Sequence, residues 1–128
     1  MVPIGPAARH LNKSYAFTDK PINQIDHLIS LGKLNGIKSA ATCPKIADYN
    51  DKSSLINERA RAYLDINCAH CHRPEGPAKN SALNLLTSEE NPIAFGVLKT
   101  PIAAGIGSGN LKYDIVPGKP DQSIMLYR

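Results

Sequence analysis

Two cysteines with a two-residue spacer, and a histidine directly after the second, occupy Cys68-Ala69-His70-Cys71-His72, and no other stretch restricts the fold of this chain as strongly. On a helical turn, positions three apart stand on the same face. Cys68 and Cys71 therefore offer both thiols to one side, and the His72 imidazole follows at once. The approach to the motif also reads as helix. Ser53 and Ser54 can cap the first orphan amides, and Glu58 lies in the first turn, facing the positive end of the dipole. Leu55, Ile56, Ala60, Tyr63 and Ile66 can share one apolar face.

C-x-x-C-H is the haem-attachment pattern. Two thiols at a helix end can reach the two vinyl groups of a porphyrin and form thioethers, while the next imidazole comes under the iron as proximal ligand. Cys68, Cys71 and His72 take those roles here, and one covalent haem c is the expected cofactor. A zinc site would have to draw on Cys68, His70, Cys71 and His72, four donors too crowded in sequence to converge tetrahedrally, and a distant second pair is missing. A redox dithiol normally sits at a helix start after a strand, whereas here a helix leads in. His70 is read as a spacer inside the motif. Cys43 is the odd cysteine and receives no role.

The 128 residues suit one domain with an appended arm. Only 5% of residues are aromatic and there is no Trp, so the usual large core fillers are scarce and another group can fill the centre. Ten Pro and nine Gly, without a repeat, predict long irregular loops between short elements. The net charge of +4 is scattered, with no basic run interleaved by aromatics, which speaks against a nucleic-acid partner. A solvated basic surface is the plainer reading, and acidic redox proteins are the partners it would favour. No stretch approaches the roughly 20 apolar residues of a membrane span. Met1-Val2-Pro3-Ile4-Gly5 lacks the regions of a signal peptide, so an exported protein would be represented here by its mature part or a fragment.

Along the chain, residues 1–50 read as an N-terminal arm with one short helix, and 51–128 as the haem domain. Pro3, Gly5, Pro6 and Pro21 mark an extended lead. Ile22, Ile25, Leu28, Ile29 and Leu31 then recur at helical spacing, with Gly32 and Gly36 as stops, predicting a helix over 22–31. Beyond His72 the chain is turn-rich to Asn80, with short apolar pieces at 83–86 and 93–98. Gly105, Gly107 and Gly109 form a loop, not a phosphate cradle, since no Lys-Ser or Lys-Thr pair follows. Residues 113–116 read as extended, Pro117-Gly118 as a turn, and Pro120 as the first turn of a helix that runs through Met125 to the last residues. That helix stops only with the sequence, so the domain is expected to continue past Arg128.

The segment from Arg61 to His72 resembles the haem-attachment segment of single-haem cytochrome c domains. Gly105 to Gly109 followed by Lys112-Tyr113-Asp114-Ile115-Val116-Pro117-Gly118-Lys119-Pro120-Asp121-Gln122-Ser123 is similar to the C-terminal cytochrome c-like region of a family of larger exported bacterial proteins. Val2 to Pro6 and Asn23-Gln24 share in that likeness. The resemblance implies a mainly α, cytochrome c-like haem domain with long loops, periplasmic or otherwise extracytoplasmic, that transfers electrons to redox protein partners. It also implies a methionine beyond Tyr127-Arg128 as sixth iron ligand. Within the chain the conventional candidates for that position are Met125, Met1, His10, His27 and His70. No acid-base or nucleophile-base constellation is evident, so a carrier is expected rather than a catalyst. The alternatives are the haem domain of a larger peroxidase-like or dehydrogenase enzyme, and a haem-bearing subunit of a multi-subunit assembly.

Overall fold

A computed structural model describes residues 5–16, 19–102 and 105–127. Residues up to Ile66 gather into one compact unit and those from Asn67 onward into a second.

In the first unit the element order is α1 (Ala8–Leu11), β1 (Ser14–Tyr15), β2 (Ile22–Asn23), α2 (Gln24–Ser30), a 3-10 turn at Ala40–Thr42 and α3 (Ile56–Asn67), whose last residue opens the second unit. β1 and β2 pair antiparallel, Ser14 opposite Asn23 and Tyr15 opposite Ile22. The described part of the stretch read as an extended arm is therefore folded. Its organiser is Asn12, buried, whose side-chain amide donates to the carbonyls of Ala40 and Cys43 at 3.0 Å each and accepts from Asn23 Nδ2 at 2.9 Å. A two-residue ladder is marginal by itself, and these bonds tie it to the following loop. Asn23 in turn caps α2, its Oδ1 accepting from the Ile25 amide at 2.9 Å, and Ile25 is 1% exposed. α2 is shorter at both ends than the 22–31 expectation, because Ile22 and Asn23 are taken by the ladder.

α3 forms where the sequence places it, but it buries a different face. Leu55 and Ile56 are 70% and 74% exposed, whereas Ala62 and Asp65 are buried. Asp65 decides the orientation. Its carboxylate accepts from Arg9 Nε and Nη2 at 3.0 and 2.8 Å and sits 2.7 Å from His10 Nε2. A buried carboxylate needs such partners, and α1 supplies both. Ser53 and Ser54 do not cap the helix as expected; their hydroxyls donate to Asp51.

The second unit is mostly loop. It holds 3-10 turns at Lys79–Ser81, Gly105–Ser108 and Pro120–Gln122, and α4 (Ile124–Tyr127). Two bridges organise it, Val97 with Ile115 and Tyr113 with Ser123, both parallel, so the extended reading of 113–116 holds. The closing helix does not run unbroken from Pro120. Ser123 is extended and buried, its hydroxyl donating to the Lys119 carbonyl at 2.9 Å and accepting from the Val116 amide at 2.9 Å, which clamps the Pro117-Gly118 turn and separates Pro120–Gln122 from α4. Ala69, Leu85, Phe95 and Ile124 form the buried apolar set.

Among the described residues only α3 exceeds seven residues. The fold is thus a mixture of short helices, a two-stranded ladder and long loops, and "mainly α" overstates it. Chain spent on turns cannot also build helix, and the Pro and Gly content sets that proportion. No helix among the described residues is long and apolar enough to cross a membrane.

Candidate functional site

The helical path of α3 continues for one more turn past Asn67. The Cys68 carbonyl accepts from the amides of both Cys71, at 3.1 Å, and His72, at 2.9 Å. Cys68, Cys71 and His72 thus come from a single turn. Both cysteines are half-buried free thiols, as is Cys43. The turn is held from its far side as well. The Cys71 carbonyl accepts from the Ala78 amide at 3.1 Å, the His72 carbonyl from the Leu85 amide at 2.9 Å, and Gly76 lies directly against the Cys71 carbonyl.

His72 is oriented by Ser81. Its Nδ1 lies 2.9 Å from Ser81 Oγ, and that hydroxyl spends its one proton on the Ala78 carbonyl at 2.7 Å. Ser81 Oγ is thereby placed to accept from Nδ1–H. In the neutral ring that arrangement leaves the lone pair on Nε2, the form in which an imidazole ligates a metal.

A cleft of about 210 Å³ opens beside the imidazole, lined by His72, Ser81, Leu83, Ile102, Ile124 and the facing pair Lys99 and Asp114, among others. Its wall is part apolar, and Ile102 is 66% exposed there. Met125, one of the candidates for the sixth position, is half-buried in α4, and its neighbour Ile124 lines the cleft instead. His70 is half-buried and does not line it. His10 is committed to Asp65 in the other unit. Met1 lies outside the described residues.

Among the described residues no group of three or more His, Cys, Asp or Glu side chains is brought together to hold a metal ion. A reactive dithiol needs a depressed thiol pKa, usually from a helix N-terminus. Here burial, and then the neighbouring Cys71, push the Cys68 thiol up, and the pair follows the C-terminal end of α3, the negative end of its dipole. No family model, curated protein or solved structure matches this chain.

Ser81, Gly76, Lys99 and Asp114 were invisible to motif reading. Gly76-Pro77 carried a turn signal and nothing more. Ser81 lies nine positions past His72, and the Lys99 to Asp114 proximity is made by a bridge between distant segments.

Proposed function

We propose that this chain is an electron-transfer domain with one c-type haem, bound through thioethers to Cys68 and Cys71 and ligated by His72, in an extracytoplasmic compartment such as the periplasm. The supporting observation is the pairing of two thiols on one turn with an imidazole whose Nδ1 is held by Ser81. That donor set suits the group, and the part-apolar cleft at His72 offers a place for a macrocycle edge. When bound, the haem stores one electron as its iron moves between ferric and ferrous. The chain's own residues do the rest. The two cysteines tether, so the small unit can keep the group without enclosing it. Ser81 holds the His72 ring and makes it a better donor. Leu83, Ile102 and Ile124 give the cleft its apolar lining. A protein partner receives or delivers the electron, and the net charge of +4 favours an acidic one.

The test is the intact mass of acid-denatured protein made with the cytochrome c maturation machinery. The expected result is the polypeptide plus one haem; the bare polypeptide mass refutes the proposal. In the loaded protein, Ser81→Ala should weaken the hold of His72 on iron by about 10-fold or more, within the range for losing an outer hydrogen bond. The midpoint potential should rise, since a less basic imidazole stabilises ferric iron less. Spectroelectrochemical titration reads both forms, and an unchanged potential would count against Ser81 as the orienting group.

A further inference from the structure

The imidazole of His10 is engaged at both nitrogens by partners whose roles are not interchangeable. Nδ1 accepts from the Ala7 backbone amide at 3.2 Å, and an amide N–H only donates. Nε2 stands 2.7 Å from Oδ1 of Asp65, whose side chain is fully buried and also held by Arg9. An ionised carboxylate only accepts. A neutral ring with its proton on Nε2 and its lone pair on Nδ1 satisfies both partners at once. His10 is the third residue of α1 and Ala7 the one before it. The Ala7 amide belongs to the donors that a helix start leaves open, and Ala7 has no side-chain acceptor, so His10 takes the part that Glu or Gln plays in a capping box.

A second proton can enter only at Nδ1. There Nδ1–H would face the Ala7 N–H, donor against donor, and that bond is lost. The other side of the ring is unaffected, because Nε2–H donates to Asp65 in either state, and more strongly from a charged ring. Protonation therefore acts on one side of His10: α1 stays on α3 through Asp65, while the chain ahead of α1 gives up its tie. Histidine is the side chain whose charge changes between about pH 5 and 8. The charged groups on the elements around α1 have tasks of their own. Asp26 of α2 accepts from the Ala40 amide at 2.7 Å, Lys13 pairs with Asp48 at 3.5 Å, and Arg59 of α3 donates to the Tyr49 carbonyl at 2.9 Å. α3 also carries Glu58, exposed, and Arg61, half-buried, and α2 carries His27, the other histidine of this unit.

We propose that His10 is a pH-sensitive latch on the stretch 5–7, closed on Ala7 while the ring is neutral and released when it is charged. The sign is fixed by the donor and acceptor roles: the bond is present above the titration midpoint of His10 and lost as pH falls through it. The latch needs no haem and is independent of the reading above.

The experiment follows the full chain by nitrogen-15 NMR from about pH 8 to about pH 5. At the upper end the His10 ring should show the Nε2–H tautomer. As the pH falls, the exchange protection of the Ala7 amide should drop about 10-fold, roughly what one net hydrogen bond is worth, with the same midpoint as the His10 ring signals. The Asp65 carboxyl signal should not report loss of its partner over that range. His27→Gln should leave both curves in place, and His10→Gln should make the Ala7 protection independent of pH. An Nδ1–H tautomer at the upper end, Ala7 protection that stays flat while His10 titrates, or a His10 ring that does not titrate over the range would each overturn the latch. Should His10→Gln fail to fold, the wild-type and His27→Gln curves decide between these outcomes.

Discussion

Replacing Gly76 by alanine should break the turn that carries the thiols and the imidazole. A Cβ at position 76 would stand 2.1 Å from the Cys71 carbonyl oxygen and 2.7 Å from its carbon. Those are backbone atoms, so no rotamer change relieves the clash, and the carbonyl is also pinned by the Ala78 amide. Either the Cys68 to His72 turn or the 76–78 loop must move. Overpacking of this kind costs about 3 kcal/mol or more, a large share of the stability of a small domain. The expected outcome is a lowered urea midpoint for the second unit and, in cells that attach haem, a yield of haem-bearing protein several-fold below wild type. Gly118→Ala is the matched control, since nothing lies within 4 Å of its Cβ position, though its φ of +71° still carries a modest strain. If Gly76→Ala is no worse than Gly118→Ala in both assays, the close approach at Cys71 is not what holds the turn.

Arg9→Met should destabilise the first unit by about 3 kcal/mol, the lower end of the range for stripping a partner from a buried charge. The Asp65 side chain is fully buried, and Arg9, 26% exposed, gives it two of its short bonds. The His10 contact at 2.7 Å offsets part of the loss. Asp65→Leu in the Arg9→Met background should recover much of it, since a buried ion pair replaced by apolar side chains is often neutral. Urea unfolding of the two single variants and the double variant forms the cycle that reads this coupling. Strict additivity would mean the ion pair does not organise the unit.

What was legible in the residues divides along a physical line. The C-x-x-C-H pattern, the helix before it, the extended piece at 113–116 and the abundance of loop all follow from interactions a few positions long: helical spacing of the two cysteines, the turn chemistry of Pro and Gly, the extended preference of Ile115 and Val116. Local pattern also proposed the wrong inner face for α3. Leu55, Ile56 and Tyr63 have the larger apolar area, but a carboxylate that finds a guanidinium and an imidazole 56 and 55 positions upstream settles which side turns inward. Nothing in the spacing of Asp65 announces that match. The same holds at the candidate site. The sequence alone put two thiols and an imidazole within five residues, whereas the tertiary structure set the Ser81 hydroxyl against Nδ1 of His72 and brought Lys99 and Asp114 to the cleft beside it, through a bridge between Val97 and Ile115. Hydrogen bonds and ion pairs between distant segments depend on where the backbone has already been placed, and that placement is a property of the packed chain as a whole.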